Sequence, residues 1–326
     1  MPKKKRQQFV IAKGRPAAKS PAFTKPAFGY YGAKQRLASR IVEMLPPHNA
    51  WVEGFCGSAA ISLAKQPAPI EVINDLDGEI VNLFRLLRTK PATLIEAVAL
   101  TPYARQEFAQ GRRRSRRLPP LERARRFLAG VMMTVNGAVN GGRSGFSFST
   151  AYTRSGMEAR VSRWYNLPER LSHVAERLRK FRVEHRDARR LLEVFLNRPA
   201  TLVYLDPPYF VKRAHRYVID ANDHAFHEEL LKLCCKAKCM ILLSGYDTPL
   251  YNRMLTRKGG WKRVVIETPT RDTKGKDYSR SEVLWQNKHF VRAKRLGRVP
   301  IRLTKVEKEQ NKVNPPRGTK ETENTD

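Results

Sequence analysis

Short apolar runs alternate with helical stretches across most of the chain. Several of the runs are continuously apolar, which is typical of strands covered on both faces of a sheet. The stretches between them carry apolar residues at helical spacing, as at Ile80, Leu83, Phe84 and Leu87. The predicted strands are Trp51–Glu53, Glu71–Asn74, Phe181–His185, Thr201–Leu205, Met240–Ser244, Val264–Thr268 and Glu282–Gln286. This alternation predicts an α/β fold with one open, mostly parallel sheet of seven strands and helices on both sides.

One segment, 104–168, breaks the alternation. It holds an arginine-dense stretch, a helical pattern over Phe127–Val135 and a loop rich in Gly, Asn, Ser and Arg. Because it lies between the second and third predicted strands, it predicts a mainly helical insert, and its composition suits contacts to phosphates and base edges. The sheet domain is then divided into a first part, 27–103, and a second part, 169–291.

The 326-residue chain is strongly basic, with 63 Lys and Arg against 30 Asp and Glu and a formal net charge of +33. A basic surface that only maintains solubility is one explanation. This charge density instead favours binding to nucleic acid, because basic side chains release phosphate counterions. Hydrophobic residues make up 41% of the chain, which excludes wholesale disorder.

Both ends of the chain are polar. Residues 1–26 carry eight basic and no acidic side chains, and residues 292–326 are similarly polar, so both predict solvated, mostly disordered arms. The run Lys3–Arg6 favours a phosphate-binding tail over a nuclear address. The sequence has no run of about 18 apolar residues and no apolar stretch behind its basic N-terminus. We therefore expect no membrane contact and a cytoplasmic location in a bacterial or phage-infected cell.

The cysteines are too few and too clustered for a secreted disulfide framework. Three of them follow two histidines, but the spacing fits no common metal site, and the segment has the pattern of an amphipathic helix. The residues are Cys234, Cys235 and Cys239 after His224 and His227, and the fourth cysteine is Cys56. We predict no metal site. The sequence also lacks the patterns of nucleotide hydrolases, metalloproteases and esterases.

A glycine-containing turn, Gly54–Ala60, follows the first predicted strand. Glycine lets the backbone approach a ligand, and the N-terminus of the next helix favours negative groups. Asp75 ends the following strand about 20 residues later, where doubly wound folds bind ribose hydroxyls. The pair indicates a nucleoside-containing cofactor, while the missing three-glycine fingerprint disfavours NAD. A structural cap is the alternative role for Asp75.

The sequence Asp206-Pro207-Pro208-Tyr209 follows the apolar run Thr201–Leu205. Two consecutive prolines fix the backbone and remove two N–H donors, so the loop presents acceptors. The Asp206 carboxylate and the Pro207 carbonyl can each accept a hydrogen from an exocyclic amino group, which directs the nitrogen lone pair at an electrophile. Tyr209 offers a face for stacking an extruded base, worth about 1–3 kcal/mol. A rigid turn that closes the strand is the alternative.

These motifs together resemble the Dam-type (D12-class) DNA adenine-N6 methyltransferases, which use S-adenosylmethionine. The resemblance spans about residues 28–286 and is carried by Phe28–Lys34, Val52–Ser58, Ile73–Asp75, His185–Asp187, Asp206–Tyr209 and Leu243–Thr248. It implies a Rossmann-like class I methyltransferase sheet with the insert as target-recognition domain. The catalytic residues that it implies are Asp206, Pro207, Pro208 and Tyr209. The cofactor-binding residues that it implies are Tyr30, Lys34, Glu53, Phe55, Gly57, Asp75, Asp187 and Asp206.

Some positions depart from the family pattern. Gly54 replaces a proline, and Ala33 and Ala59 stand where glycine is usual. In the insert, Asn140–Phe146 resembles the family's Asn-Gly-x-x-Arg hairpin, although Val139 stands where an aromatic residue is usual. The predicted nucleic-acid-binding residues are Asn140 and Arg143 in this hairpin, and Arg112, Arg113, Arg114 and Arg116 in the basic run Arg112–Arg117. We expect Arg143 to contact a base edge and the basic run to contact phosphates.

We expect a monomeric, site-specific enzyme that transfers a methyl group from S-adenosylmethionine to the N6 amino group of adenine in double-stranded DNA after base flipping. A partnership with a restriction enzyme fits this activity. Asp, rather than Ser, at the start of the catalytic motif favours adenine. Three alternatives stay open: an RNA adenine methyltransferase, a cytosine-N4 DNA methyltransferase, and a non-catalytic nucleic-acid-binding protein with the same fold.

Overall fold

The computed structural model describes residues 24–29, 34–135, 145–150, 153–154, 156–208, 223–271 and 277–299. The strands in these ranges are β1 (Ala50–Glu53), β2 (Ile70–Asn74), β3 (Thr153–Arg154), β4 (Met157–Glu158), β5 (Phe181–Glu184), β6 (Thr201–Leu205), β7 (Met240–Gly245), β8 (Lys262–Arg271) and β9 (Asp277–Gln286). The α-helices are α1 (Ala38–Val42), α2 (Ala60–Ala64), α3 (Gly78–Thr89), α4 (Pro91–Ala99), α5 (Arg105–Gly111), α6 (Pro120–Met132), α7 (Ala159–Tyr165), α8 (Leu167–Leu178), α9 (Ala188–Phe195), α10 (His224–Lys236), α11 (Pro249–Met254) and α12 (Lys288–Leu296). A 3₁₀ helix covers Lys34–Arg36.

Seven of the strands form one sheet in the order β5-β2-β1-β6-β7-β9-β8. Neighbouring strands from β5 to β7 run parallel, and β9 is antiparallel to both β7 and β8. The predicted sheet of seven mostly parallel strands is therefore confirmed. Strands β8 and β9 are longer than predicted because they pair with each other along their whole length.

Both faces of this sheet are buried. In β1, Trp51 packs into a core on one face, while its neighbour Val52 packs into a second core on the other face. Helices α3, α4, α6, α8 and α12 contribute to the first core, and α9, α10 and α11 contribute to the second. Because successive side chains of a strand point to opposite faces, burial on both faces explains the continuously apolar runs in the sequence.

The described helices of segment 104–168 share the first core with the sheet. Phe127 of α6 packs edge-on against Phe28, with ring centroids 5.3 Å apart. The helix predicted over Phe127–Val135 is wrong at both ends, because α6 begins at Pro120, where proline suits the first turn, and ends at Met132. Beyond it, Ser147 N–H donates to the carbonyl of Met133 at 2.8 Å, so the residues that follow the helix pair with the segment around Ser147.

Parts of both predicted arms belong to the folded protein. Thr24 is buried, and its N–H donates to the carbonyl of Leu63 at 3.0 Å. At the other end, α12 continues to Leu296 because its apolar face, including the fully buried Ala293, packs on the core. The arms predicted as 1–26 and 292–326 are therefore too long at their inner ends. The basic run Lys3–Arg6 lies outside the described residues.

Candidate active site

Three neighbouring parallel strands end at the same edge of the sheet. β2, β1 and β6 are hydrogen-bonded side by side, and they end at Asn74, Glu53 and Leu205. In parallel α/β sheets, the crevice outside the carboxyl ends of the strands is the usual ligand site. The glycine turn, Asp75 and Asp206 follow directly after these three strands, so the fold brings the main predicted site residues to one edge.

Asn74 joins three of the loops at this edge. Its side-chain amide donates to the carbonyl of Gly54 at 2.9 Å and to the carbonyl of Arg186 at 3.0 Å. Its side-chain oxygen accepts from Arg186 N–H at 3.0 Å, and its backbone carbonyl accepts from Cys56 N–H at 2.8 Å. The side chain is fully buried. Sequence alone did not single out Asn74, although a polar residue that ends an apolar strand is a usable signal.

Asp75 holds the glycine turn in place. One carboxylate oxygen accepts from Gly57 N–H at 2.7 Å, and the other accepts from Asp77 N–H at 2.9 Å. Gly57 has φ of +49°, in the left-handed region that favours glycine. Burial raises the pKa of Asp75 to about 6. These two bonds give Asp75 a structural role, and its predicted contact with a ligand hydroxyl stays a prediction.

The two departures from the family pattern in this turn have different structural settings. Ala59 adopts φ of +55° and is the one non-glycine residue with positive φ in the part of the chain that the structure describes. That conformation explains why glycine is usual there, since an alanine in it carries backbone strain. At Gly54, an added Cβ would lie 2.8 Å from Cδ2 of Leu205, so this turn packs closely on the end of β6.

Glu53 is buried and directed toward α2. Its carboxyl group accepts from the N–H of Ser62 at 3.1 Å and from the Ser62 hydroxyl. Trp51 donates its indole N–H to the same hydroxyl at 2.6 Å. Burial raises the pKa of Glu53 to about 8. These contacts give Glu53 a role in tying β1 to α2, and its predicted contact with a cofactor stays a prediction.

Phe55 and Asp187 lie on either side of this turn. Phe55 is partly buried and packs edge-on against Phe226, with ring centroids 6.3 Å apart. Asp187 caps α9 by accepting from Arg189 N–H at 2.8 Å, and it forms an ion pair with the Arg189 guanidinium at 2.6 Å. The hydrogen bond from Arg189 holds the pKa of Asp187 below its usual range. The structure therefore accounts for Asp187 as a helix cap.

Asp206 is held by a lysine. Lys34 Nζ donates to both carboxylate oxygens of Asp206 at 2.8 Å, and it lies 3.6 Å from the carboxylate of Glu282 on β9. The side chains of Lys34 and Asp206 are only 7% and 15% exposed, so this is a desolvated, charge-assisted contact. Pro207 is buried and Pro208 is partly buried. Tyr209 and Tyr30 lie outside the described residues.

The lysine contact adds a role that sequence alone did not give. Lys34 was predicted to hold the cofactor, whereas its side chain contacts the first residue of the catalytic motif. Glu282 was not predicted as a site residue, and its only signal is an acidic residue in an otherwise apolar predicted strand. On the other side of β6, the hydroxyls of Tyr204 and Ser244 lie 2.8 Å apart and join β6 to β7.

The arginines of the basic run differ in their surroundings. Both guanidinium nitrogens of Arg114 donate to the carboxylate of Asp77, at 2.8 and 3.0 Å. Arg112 lies over the ring of Phe108, 5.6 Å from its centroid, and Arg113 and Arg116 are exposed. Asn140 and Arg143 lie outside the described residues. Phosphate contact by the basic run stays a prediction, and Arg114 already has a carboxylate partner.

Within the described ranges, His, Cys, Asp and Glu side chains form no group of three or more that could hold a metal ion. Cys234 and Cys239 are buried and Cys235 is exposed. Helix α10 confirms the amphipathic helix predicted for this segment. In the same ranges no helix has the length and apolar character needed to cross a bilayer.

The site can now be compared with known proteins. A model of the D12 class N6 adenine-specific DNA methyltransferase family matches residues 30–258, which is more than half of the chain. The chain belongs to this family. The assignment confirms the resemblance in the motifs, and it identifies the protein as an adenine-specific DNA methyltransferase. It favours DNA over RNA and adenine over cytosine among the alternatives left open by the sequence.

Two solved structures that are similar to this methyltransferase share little sequence with it. Precorrin 8w decarboxylase from Methanobacterium thermoautotrophicum has 8% identity and a TM-score of 0.34, over 82% of this chain and 97% of that one. An S-adenosylmethionine-dependent methyltransferase from Agrobacterium tumefaciens has 12% identity and a TM-score of 0.33, over 78% of this chain and 60% of that one. No curated protein sequence matches the chain. S-adenosylmethionine use follows from the family.

Proposed function

We propose that this enzyme transfers a methyl group from S-adenosylmethionine directly to the N6 amino group of an adenine that is flipped out of a specific DNA site. One observation carries the proposal. Asp206 lies at the carboxyl edge of the sheet, after the strand next to the glycine turn, with both carboxylate oxygens fixed by Lys34 at 2.8 Å. An enzyme that acts on DNA works in the compartment that holds it, which supports the cytoplasmic location.

The side chains and backbone at the carboxyl edge of the sheet suit the binding of S-adenosylmethionine. Gly57 adopts a φ of +49°, which suits glycine, and the Asp75 carboxylate beside it is a suitable acceptor for ribose hydroxyls. Phe55 offers an apolar ring next to this turn. Gly57, Phe55, Asp75 and, from the family motif, Tyr30 and Asp187 would hold the cofactor. When bound, S-adenosylmethionine supplies a methyl group that its sulfonium already activates, so the protein contributes mainly positioning.

The catalytic loop would hold the target amine. The Asp206 carboxylate offers about four lone-pair directions and Lys34 engages one on each oxygen, so an acceptor remains for an adenine N–H. The Pro207 carbonyl supplies a second acceptor, and the two prolines fix the backbone of the loop and add no N–H donor to it. With both hydrogens engaged, the nitrogen lone pair points out of the base plane toward the methyl donor. Tyr209 would stack on the flipped base and offset part of the flipping cost.

Lys34 would act as a positioning residue for Asp206. A bidentate contact from a buried ammonium fixes the rotation of the carboxylate before any substrate binds. It also lowers the cost of keeping Asp206 and Glu282 charged in a desolvated site. Methyl transfer depends on alignment of the target amine with the methyl donor, so a carboxylate acceptor of fixed orientation favours it.

The test is expression in cells that lack adenine methylation, followed by long-read sequencing of their DNA. Wild type should place N6-methyladenine at one sequence motif, and Asp206→Ala should reduce the signal by about 100-fold or more, because it removes an amine acceptor. The purified variant should bind S-adenosylmethionine within a few-fold of wild type in a calorimetric titration. Glu193→Ala, which removes an exposed carboxylate on α9, is the matched control and should keep full methylation.

Asp75→Ala separates the cofactor side of the site from the amine side. It should weaken S-adenosylmethionine binding by about tenfold or more, because a hydrogen bond to a charged group is worth about 1.5–3 kcal/mol. Unmethylated DNA from wild-type cells would overturn the proposed function. Loss of cofactor binding in Asp206→Ala with no loss in Asp75→Ala would overturn the assigned roles.

A further inference from the structure

A wide basic groove of about 1020 Å³ lies beside the first six described residues, along α7 and α8. Its basic lining residues are Lys25, Arg154, Arg160, Arg163 and Arg170, with His173 at the same surface. Glu169 is the one carboxylate that lines it in the described part of the chain. We call this surface the basic groove. None of these arginines stands out from the sequence alone.

The central arginines of the basic groove form no ion pair within the described residues, although Glu169 lines the same surface. Among the described residues, the ion pairs of α6, α8 and β5 do not include Arg160, Arg163 or Arg170. Arg170 instead donates to the carbonyl of Ala27 at 3.5 Å. Burial, and the charge of Arg160 next to it, lower the pKa of Arg163. Like charges are thus held close together in a concave surface, which favours a bound polyanion.

An exposed aromatic ring borders the same surface. Phe148 lines the basic groove and is 59% exposed, which is unusual for so large an apolar side chain. Arg105 lies over its ring, 5.9 Å from the centroid. Aromatic rings among basic side chains are typical of nucleic-acid surfaces, where they contact sugars or bases while the cations bind phosphates.

The basic groove is close to the catalytic loop along the chain. A Cβ on Gly29 would lie 3.3 Å from a guanidinium nitrogen of Arg163, so the described residues 24–29 border the groove. Gly29 and Lys34 are five residues apart, which limits their separation to about 18 Å. Phosphates of one strand in B-DNA follow each other at about 3.4 Å along the helix axis. The Cα atoms of Gly29, at the groove, and of Lys34, at the catalytic loop, are therefore no farther apart than about five nucleotides of one strand.

We infer that the basic groove binds the phosphate backbone of the DNA duplex that flanks the target adenine. The inference rests on the proposed function for the identity of the target strand. It differs from the prediction that the run Arg112–Arg117 supplies the phosphate contacts, because Arg114 in that run faces Asp77. Base recognition is left to other residues, since phosphate contacts carry affinity without sequence.

Three charge-matched triple variants test this assignment. The groove variant combines Arg160→Gln, Arg163→Gln and Arg170→Gln, and the run variant combines Arg113→Gln, Arg116→Gln and Arg117→Gln. The control combines Arg190→Gln, Arg198→Gln and Arg257→Gln, which are exposed residues on or near the helices of the opposite face of the sheet. Each variant lowers the net charge by the same amount, so a difference between them reports position and not total charge.

The measurement is the dissociation constant of a fluorescent duplex of about 24 base pairs between about 50 and 200 mM salt. The groove variant should bind about tenfold or more weakly and lose about 0.9 from the salt slope for each phosphate contact removed. The control should bind within about twofold of wild type. If the groove variant does not fold, Arg163→Gln and Arg170→Gln alone should each reduce the slope by about 0.9.

Three outcomes would overturn the inference while leaving the proposed function intact. A groove variant with unchanged duplex affinity, or a run variant that loses more affinity and slope, would move the phosphate contacts away from the groove. Loss of affinity for single-stranded RNA but not for duplex DNA would mean that the groove serves RNA. Methyl transfer by wild type to unmethylated genomic DNA is measured in parallel. Its absence would instead count against the proposed function.

Discussion

Two groups of arginines in neighbouring parts of the chain differ in what faces them. In the paired group, each guanidinium lies between 2.5 and 2.8 Å from a carboxylate. The group is Arg114, Arg123, Arg125 and Arg126, and its partners are Asp77, Glu79, Glu107 and Glu122. The groove group, Arg160, Arg163 and Arg170, faces Glu169 alone among the described carboxylates that line the groove. Arginines are denser around the paired group, with six among residues 114–126 against three among residues 160–170. The position of counter-charges, and not arginine density, therefore decides which group is available to a polyanion.

Two buried glutamates at the sheet also differ in whether a side chain of opposite charge contacts them. Glu71 accepts from Lys65 Nζ at 2.8 Å and from an Arg177 guanidinium nitrogen at 2.8 Å. Burial opposes its ionisation, but the bonds from Arg177 and Lys65 hold the pKa of Glu71 below its usual range. Glu53 is bonded to Ser62 instead, and burial raises its pKa to about 8. A partner of opposite charge, more than burial itself, decides whether a buried group is charged.

The largest expected effect concerns the pH dependence of stability through Glu53. Its pKa is about 8 in the folded protein and 4.5 ordinarily, so the folded state keeps a proton that the unfolded state has lost between these values. The stabilising contribution is therefore complete below pH 4.5 and is lost as the pH rises toward 8. The slope in this window is about −1.4 kcal/mol per pH unit.

Urea unfolding of the cofactor-free protein at several pH values between 5 and 8 measures this slope. Relative to Glu53→Gln, which cannot ionise, wild type should lose stability steadily with rising pH. Glu176→Gln, at an exposed carboxylate of α8, is the control and should run parallel to wild type. Parallel curves for wild type and Glu53→Gln would mean that Glu53 is charged in the fold, and the contrast with Glu71 would fail.

A smaller effect on stability is expected from substitution of Asp77, the carboxylate that pairs with Arg114 of the paired group. Asp77 caps α3 by accepting from Glu79 N–H at 3.0 Å, and it pairs with Arg114 through both oxygens. Asp77→Ala removes a cap worth about 1 kcal/mol and leaves a partly buried arginine without this partner, so we expect a loss of about 2 kcal/mol in unfolding free energy. Asp77→Asn keeps a capping oxygen and should lose about half as much.

A double-mutant cycle with Arg114→Ala gives the pairwise term directly. The coupling free energy between positions 77 and 114 should be about 1 kcal/mol, because the pair is bidentate and the Asp77 side chain is 6% exposed. Additive losses would show that Arg114 contributes nothing to folding through Asp77. Arg114 would then belong with the exposed arginines of its run, and the comparison between the two groups would lose one member.

The fold was largely accessible from sequence because its signals are local. All seven predicted strands occur, since apolar runs such as Thr201–Leu205 are buried on both faces and no other element competes for them. The errors in the predicted helix bounds occur where tertiary contacts determine the end of a helix. The end of α6 at Met132 depends on pairing with residues beyond 145, and the continuation of α12 past Arg292 depends on packing of Ala293.

Only part of the candidate site could be predicted from the sequence. Asp206 and Asp75 could be predicted because each follows an apolar strand in a motif. The contact of Lys34 with Asp206 joins residues 172 positions apart, and the bond of Arg177 to Glu71 joins residues 106 positions apart. No periodicity or spacing encodes such pairs. For the same reason the basic groove could not be distinguished from the basic run, since Asp77, the partner of Arg114 in the run, lies 37 positions away along the chain.

The smallest expected effect is the stability change in Arg163→Gln, and it separates the two groups most directly. Because Arg163 is surrounded by like charges and by no recorded ion-pair partner in the described residues, its neutralisation should change the unfolding free energy by less than about 0.5 kcal/mol. The sign should be stabilising, since repulsion from Arg160 is removed, and the gain should shrink as salt screens that repulsion. Arg125→Gln, which removes the partner of Glu107 and Glu122, should instead destabilise by about 1–2 kcal/mol. Urea unfolding at low and high salt measures both variants. A loss of unfolding free energy above about 1 kcal/mol in Arg163→Gln would mean that this arginine stabilises the fold as the paired group does. Its charge would then have a structural role instead of being available to bind a phosphate.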